Sequence, residues 1–333
     1  MARSRDKTTR SRSSGRRTTS AEAAGAGPPH VVYVHGICPH SPGYSDPWWN
    51  AMKPYVTGIP DENHHEVLWS DLITSAAAPA PAAHGERITA AARELLRPLA
   101  DPRQPKLIEH VKDILADRAQ RQFLDAALKT SGTESSLAGP ATPPRPVLTL
   151  ETAGPRALVS IPGLECVDDF AQYLLDGNVR NQVIGRFNAV AQPLLEAGAR
   201  LEVISHSWGT VVAYEALRRM DASGPSLPDQ AVLTFFTVGS ALSIPPVKRS
   251  LIPEAVDGRR PRLVRTWVNL NARFDIVGGN LRGNPFGVDY EYLDLTPVGC
   301  SSFIPNPACA HGSYFNPDNV VVNRDIFGTF ING

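Results

Sequence analysis

The sequence has little cysteine, no net charge and no long apolar run, and each shortage excludes a class of protein. Four cysteines in 333 residues are too few for a small fold held together by disulfides. Basic and acidic residues number 33 each, so a polybasic protein is excluded and we expect no specific nucleic-acid partner. No apolar run approaches the roughly 18 residues that span a membrane, and no secretory signal is recognisable, so we expect a cytoplasmic protein without a transmembrane segment.

What the sequence does contain is typical of a folded globular chain. Hydrophobic residues make up 42% of it and charged residues only 20%, which excludes disorder throughout. A length of 333 residues leaves room for a sizeable core in one large domain or two ordinary ones. Its 30 prolines and 26 glycines predict many turns and an irregular section.

The zero net charge hides an uneven distribution. Residues 1–27 hold seven basic and two acidic residues, a net charge of +5, so the rest of the chain carries −5. After Met1 this segment has no large apolar residue and cannot bury enough surface to fold alone. We predict a disordered basic tail over 1–27, although an Arg-rich and Ser-rich start is also typical of an organellar transit peptide.

From residue 28 onwards, strand patterns alternate with helix patterns. Apolar and β-branched runs predict buried strands at 31–34, 66–69, 201–204, 231–238, 263–270 and 290–295. Helical spacing predicts helices within 166–198, where Pro193 should kink or shorten the last turn, over 211–220, and over 317–331. This alternation indicates an α/β domain with a mostly parallel central sheet and helices on both faces.

Residues 75–155 interrupt the pattern. They are rich in alanine and proline, and within them 104–128 carries an apolar stripe at helical spacing. Such a segment is typical of an insertion that lies over a core. We therefore predict a single α/β domain over 28–333 with a largely helical cap insertion at about 75–155.

The residues that carry chemistry begin where the strand at 201–204 ends. Ser207 stands between that strand and the next helix, with Ser205 before it and Gly209 after it. Small residues at these two positions are needed in a sharp strand-to-helix turn, the nucleophile elbow, because neighbouring backbones crowd it. The turn would lift the Ser207 hydroxyl above the sheet and aim the helix N-terminus, which favours negative charge, at the same place.

A serine nucleophile needs a histidine base, and the base needs a carboxylate that orients it. Of nine histidines only His311 follows Ser207, in what we interpret as a mobile loop of small residues. Asp275 follows the strand at 263–270 between apolar neighbours, which makes it the predicted carboxylate, and the chain order Ser, Asp, His agrees with this kind of sheet. Three other aspartates compete for the role: Asp257, Asp289 and Asp294.

Two backbone N–H groups should stabilise the oxyanion that forms during acyl transfer. One is expected from Trp208, directly after the nucleophile. The other is expected from Ile37, or else from Gly36, in the loop after the first strand, where we interpret His35 as structural. Four residues are candidates for a substrate pocket, and for the first three packing in the core is the alternative: Tyr44, Trp48, Trp49 and His206.

Five motifs in this order resemble the α/β-hydrolase superfamily, in particular its bacterial lipase-like and esterase-like members: VVYVHGI, VISHSWGT, TVGS, NARFDIVGG and AHGSYF. The resemblance covers 30–74 and 156–333 and implies a sheet of the eight-stranded type with an acyl-transfer site at the carboxyl edge of its strands. Two departures stand out, since the elbow begins with serine instead of glycine and residues 75–155 match no family motif.

The predicted function is hydrolysis of a carboxylic ester, with Ser207, Asp275 and His311 as a catalytic triad and an acyl-enzyme on Ser207. The substrate would be a small-molecule or lipid-like ester, and the chemistry would need no metal or organic cofactor. Two alternatives stay open. An acyltransferase would use the same triad with a different second nucleophile, and a non-catalytic binding protein could share the fold.

Signals for metals and cofactors are weak in this sequence. It has no GxxxxGK[ST] or GxGxxG loop, so no nucleotide cofactor is indicated. The adjacent His64 and His65 are a faint metal motif that is more typical of a solvated loop. Two Cys-x-His pairs have atypical spacing for a zinc site: Cys38 with His40, and Cys309 with His311. Cys300 and Cys309 are close enough in sequence to form a disulfide, which the sequence leaves open.

Overall fold

A single parallel sheet organises the protein. Its strands are β1 His30–Val34, β2 His64–Val67, β3 Leu201–His206, β4 Val232–Val238, β5 Val264–Ala272 and β6 Tyr290–Leu295. They lie in the order β2-β1-β3-β4-β5-β6, and every neighbouring pair is parallel. The predicted α/β class and parallel sheet are confirmed, with six strands in the described part of the chain where the resemblance implied eight.

The computed structural model describes nine stretches of the chain: 27–75, 173–174, 176–223, 227–244, 247–248, 250–275, 277–282, 286–300 and 307–333. The basic tail predicted over 1–27 lies outside these residues except for Gly27. The cap insertion predicted at about 75–155, with its helix at 104–128, lies outside them except for Ser75.

Six α-helices and a π-helix accompany the sheet in these stretches. They are α1 Asp46–Met52, α2 Ser70–Ser75, α3 Gly177–Glu196, α4 Gly209–Ala222, α5 Pro307–Gly312, the π-helix Val321–Gly328 and α6 Thr329–Asn332. Pro193 lies inside the last turn of α3 without ending it, because the Ala197 N–H still bonds the Pro193 carbonyl at 3.0 Å. None of the helices described has the length and apolar character needed to cross a membrane.

Both faces of the sheet are covered by helices. Successive residues of a strand point to opposite faces, so Val203 of β3 packs in the core beneath α3 and α4, while Ile204 packs in a second core beneath α1 and the π-helix. Leu201 to Ser205 are all buried, which explains why β3 has no alternation of apolar and polar residues. The central strands are thereby fixed, and their carboxyl ends form a rigid edge.

The cysteines form disulfides. Cys300, shortly after β6, is bonded to Cys309 in α5, with Cα atoms 5.8 Å apart, and Cys38 is also disulfide-bonded. A cysteine in a disulfide has no thiolate to offer a metal, so the zinc site from two Cys-x-His pairs is excluded. The bond between Cys300 and Cys309 ties α5 to the segment that follows β6.

Glu202, near the beginning of β3, is a completely buried carboxylic acid. Burial raises the pKa of Glu202 to about 8. In the unfolded chain the group ionises near pH 4.5, so between roughly pH 5 and 8 the folded state keeps a proton that the unfolded state has lost. The contribution of Glu202 to the free energy of unfolding therefore falls as the pH rises through this range.

Glu202→Gln should abolish this fall, which is on the order of 4 kcal/mol for a single group. Urea unfolding of the wild type and the variant at pH 5, 6.5 and 8 measures the difference. Glu62→Gln, at an exposed glutamate, is the matched control and should keep the pH dependence of the wild type. Identical pH dependence in the wild type and Glu202→Gln would contradict the prediction.

Candidate active site

Ser207 lies at the carboxyl edge of the sheet, directly after β3. The strand order reverses between β1 and β3, because β1 connects outward to β2 while β3 begins the series that runs to β6. In open α/β sheets, ligands bind outside the carboxyl ends of strands at such a switch point. The topology alone therefore places Ser207 where a binding crevice is expected.

The backbone at Ser207 has the strained geometry of an elbow. Its φ of +56° lies in the left-handed region, which a serine seldom adopts. The Ser207 N–H bonds the Val238 carbonyl at 2.9 Å, and the Ser207 carbonyl accepts from the Thr210 hydroxyl at 2.6 Å. A side chain on Gly209 would overlap the carbonyl oxygen of His35. The crowding predicted at this turn is therefore present.

Three polar side chains from separate parts of the chain form a continuous set of hydrogen bonds here. Ser207 Oγ is 2.8 Å from His311 Nε2, and His311 Nδ1 is 2.9 Å from Asp275 Oδ2. Because an ionised carboxylate only accepts, Nδ1 carries the proton and Nε2 presents its lone pair to the serine hydroxyl. The structure thus brings together the three residues predicted as nucleophile, base and orienting acid.

His311 lies on α5 and not in the mobile loop expected from the sequence. Its relative exposure is 8%, and Cys309 on the same short helix is held by the disulfide to Cys300. Four small residues in the run Pro-Ala-Cys-Ala-His-Gly suggested a loop, but helix formation and the disulfide hold the segment in place. The imidazole is therefore fixed and not free at the solvent edge.

Asp275 is fully enclosed and accepts four hydrogen bonds. Besides His311, the donors are the Tyr314 hydroxyl at 2.5 Å and the backbone N–H groups of Val277 and Gly278 at 2.8 and 3.1 Å. Burial by itself would raise the pKa of Asp275, but the positive charge available on His311 and these donors lower it to about 2. The carboxylate therefore stays ionised throughout the physiological range.

The competing aspartates are engaged elsewhere. Asp257 forms an ion pair with Arg218, and Asp289 forms one with Arg260. Asp294 is exposed on the edge strand β6. Among these candidates, only Asp275 contacts His311 in the structure.

Two residues that the sequence reasoning did not single out complete this arrangement. Tyr314 joins the carboxylate of Asp275 to the backbone N–H of Ala272, which donates to the tyrosine oxygen at 2.7 Å. Gly239, after β4, has a φ of +54°, and a Cβ there would lie 2.7 Å from Asp275 Oδ2 and 3.0 Å from His311 Nδ1. The TVGS motif was a usable signal for Gly239, and the AHGSYF motif contains Tyr314 without indicating its contact with Asp275.

His206 is half-buried and contacts His311 directly. Its Nε2–H donates to the His311 carbonyl oxygen at 2.8 Å, and the two ring centroids are 4.5 Å apart. Burial, together with the charge that His311 can carry, lowers the pKa of His206 to about 3, so the ring stays neutral. On its other side it meets the edges of Trp48 and Phe315. His206 therefore fixes the backbone of His311.

The other three candidates for the substrate pocket, Tyr44, Trp48 and Trp49, have different surroundings. Trp48 is half-buried and stacks on Phe315 with centroids 3.9 Å apart, which makes an aromatic wall beside His206. Tyr44 donates its hydroxyl to the Tyr33 carbonyl at 2.7 Å, which ties it to β1. Trp49 is buried and is part of the core with α1, so for Trp49 the core alternative holds.

The loop after β1 lies against Ser207. A Cβ on Gly36 would be 2.8 Å from Ser207 Cβ and 3.2 Å from its Oγ, so only glycine fits there. Ile37 follows, and within the described ranges its backbone N–H donates to no acceptor. Trp208 is the N-cap residue of α4, directly after Ser207. These are the three residues predicted to supply oxyanion-binding amides.

His35, in the same loop, is buried and holds the loop in shape. Its Nε2 accepts from the Trp69 backbone N–H at 3.1 Å, so Nδ1 carries the proton and donates to the Gly36 carbonyl at 2.6 Å. Burial is the largest of the effects that lower the pKa of His35 to about 3. It therefore acts as a neutral structural bridge between the loop after β1 and the segment after β2.

Tyr314→Phe removes one donor from the Asp275 carboxylate. A hydrogen bond to a charged group contributes about 1.5–3 kcal/mol, so kcat/KM for an ester should fall by roughly 10- to 100-fold. Tyr292→Phe, at a half-buried tyrosine on β6, is the control and should behave as the wild type. An unchanged kcat/KM in Tyr314→Phe would contradict this prediction.

Comparisons of the chain with protein-family models, with curated proteins and with solved structures found no match. The parallel sheet with helices around it is an α/β fold compatible with that of the α/β-hydrolases. The geometry around Ser207 is therefore the ground on which a function can be assigned.

Proposed function

We propose that this protein is a serine hydrolase of the α/β-hydrolase type that cleaves a carboxylic ester through an acyl-enzyme on Ser207. The observation that carries the proposal is the unbroken set of hydrogen bonds from Ser207 Oγ through His311 to Asp275, at 2.8 and 2.9 Å. A positive φ at Ser207 adds support, because strain of this kind persists where function requires it. A binding protein has no need for either feature.

In the first half of the reaction, Ser207 Oγ attacks the ester carbonyl carbon while His311 Nε2 takes the hydroxyl proton. The carbonyl oxygen becomes an oxyanion, which the N–H groups of Ile37 and Trp208 would stabilise. As the intermediate collapses, the bond to the alcohol oxygen breaks and His311 returns the proton to that oxygen. The alcohol leaves, and the acyl group stays on Ser207.

In the second half, water repeats these steps in place of the serine. His311 takes a proton from water, the resulting hydroxide attacks the acyl carbon, and the proton returns to Ser207 Oγ as the carboxylic acid leaves. Asp275 stays ionised, because its pKa of about 2 lies far below neutral pH, and it stabilises the imidazolium in both halves. No step requires a metal or an organic cofactor.

The substrate class follows from what surrounds the site. The aromatic wall of Trp48 and Phe315 beside His206 suits an apolar group of a small-molecule or lipid-like ester. We propose in addition that residues at about 75–155 form a cap over this wall.

The location of the protein in the cell stays a prediction. Disulfides persist in oxidising compartments and are rare in the cytosol. The bond between Cys300 and Cys309 and the disulfide-bonded state of Cys38 therefore weigh against the cytoplasmic location expected from the sequence.

An active-site phosphonate tests the proposed function directly. It should abolish hydrolysis of a short p-nitrophenyl ester in proportion to labelling, and mass spectrometry should find the adduct on Ser207 alone. Ser240, which bonds the Thr210 hydroxyl on the same sheet edge, is the internal control and should stay unlabelled. Full hydrolytic activity without label on Ser207 would refute the proposal.

A further inference from the structure

A second group of titratable side chains lies away from Ser207, at the β2 edge of the sheet. Asp46 at the beginning of α1 and His64 and Glu66 on β2 each offer one ligand atom, and these atoms lie within 4.8 Å of one another. They line an open cleft of about 490 Å³ together with Gly43, His65 and Val190. We call Asp46, His64 and Glu66 the β2 cluster.

The hydrogen bonds around Ser45 determine which nitrogen of His64 carries a proton. The Ser45 hydroxyl has one proton, which it donates to the carboxylate of Glu66 at 2.7 Å, because a carboxylate only accepts. The same hydroxyl oxygen is 2.6 Å from His64 Nε2, so at this second contact it must accept. His64 therefore carries its proton on Nε2, and in the neutral ring Nδ1 presents a lone pair.

His64 Nδ1, with its lone pair, lies near another atom that can only accept, a carboxylate oxygen of Asp46. His64 Nδ1 and Asp46 Oδ1 are 3.9 Å apart, too far for a hydrogen bond. Ligands of one zinc ion lie about 3 to 4 Å apart, because Zn–N and Zn–O bonds are each about 2.0–2.2 Å long. Two acceptors at this separation are thus spaced to share a cation between them.

The remaining contacts hold these ligands in place. The His64 ring stacks on Trp49 and meets Tyr33 edge-on, with centroids 5.7 and 5.1 Å away. Glu66 accepts from the backbone N–H groups of Gly43 and Ser45 at 2.8 and 2.7 Å. Metal-binding histidines usually donate their second ring N–H to such a supporting group, which fixes the tautomer. The hydroxyl of Ser45, backed by Glu66, supplies that support.

We propose that the β2 cluster binds one Zn²⁺ ion through His64 Nδ1 and the carboxylates of Asp46 and Glu66, with water completing the coordination. An imidazole nitrogen favours zinc over Ca²⁺ and Mg²⁺, which prefer oxygen ligands only, and two carboxylates balance the charge of the ion. Because Asp46 begins α1 and the other two ligands lie on β2, the ion would join these elements. This site is independent of the proposed hydrolase activity.

Isothermal titration of the full chain, stripped with a chelator, tests the site with Zn²⁺ and, separately, Ca²⁺. We expect one Zn²⁺ per chain and a rise in Tm on binding, with no comparable Ca²⁺ binding. Asp46→Asn and His64→Gln should each weaken Zn²⁺ binding by about 100-fold or more. Ser45→Ala, which removes only the support, should weaken it by about 10-fold.

Asp325→Asn is the matched control, because it alters a surface carboxylate paired with Arg324 on the π-helix. It should bind Zn²⁺ as the wild type does, and circular dichroism should show all variants folded. Glu66 is left unchanged, since its loss would also free two backbone N–H groups. The proposal would be overturned if the wild type bound no Zn²⁺, if Asp46→Asn or His64→Gln bound Zn²⁺ as tightly as the wild type, or if Ca²⁺ bound as tightly as Zn²⁺.

Discussion

Replacing Ser207 with alanine should lower kcat for a short p-nitrophenyl ester by about 10⁴-fold or more. Alanine keeps the side chain small in a turn where a Cβ on Gly36 would already lie 3.2 Å from the serine oxygen, so the fold should be retained. It removes the only atom that can form the acyl-enzyme, and water must then attack the ester directly. Steady-state kinetics give kcat and KM, and thermal unfolding confirms the native state.

A control variant and a double variant show whether Ser207 and His311 act as one unit. Ser223→Ala, at an exposed serine that ends α4, should leave kcat unchanged. His311→Ala in the Ser207→Ala background should cost almost nothing more, because residues that act together have strongly non-additive effects. A further loss comparable to that of the single His311→Ala variant would show that the two residues act separately.

Much of this fold is predictable because several strands contain apolar and β-branched runs that are buried. The runs around Val31 and Val232 are buried on both faces, so they need no partner sequence to be recognised as strands. Ser207 and Asp275 are predictable for a related reason, since each directly follows such a strand and its place at the sheet edge is then determined. Local sequence therefore positions both.

Other parts of the site depend on contacts between distant segments, which local sequence does not encode. The environment of His206 comes from Trp48, His311 and Phe315, which are about 100 or more residues away in sequence. The helix that carries His311 is tied to the segment after β6 by a disulfide whose formation the sequence leaves open. Trp48 and Trp49 are adjacent and chemically identical, and only the packing of α1 sends one to the site and the other to the core.

Asp275→Asn should lower kcat by about 10⁴-fold in a chain that still folds. The amide oxygen can take the place of Oδ1 and still accept from the backbone N–H groups of Val277 and Gly278. The amide NH₂ then takes the place of Oδ2 and donates toward His311 Nδ1, where the carboxylate had accepted at 2.9 Å. This favours the tautomer of His311 with its proton on Nε2, and the nitrogen that faces Ser207 then donates instead of accepting.

Asp294→Asn tests whether the acid that orients His311 must be Asp275 or can be another aspartate nearby. Asp294 is exposed on β6 and was the competing candidate, so its variant should keep the activity of the wild type. The expected pattern is therefore a loss of activity confined to Asp275→Asn, with thermal unfolding showing that both variants are folded. Activity retained in Asp275→Asn and lost in Asp294→Asn would move the acid role to β6, and the hydrogen bonds between Asp275 and His311 would then be structural.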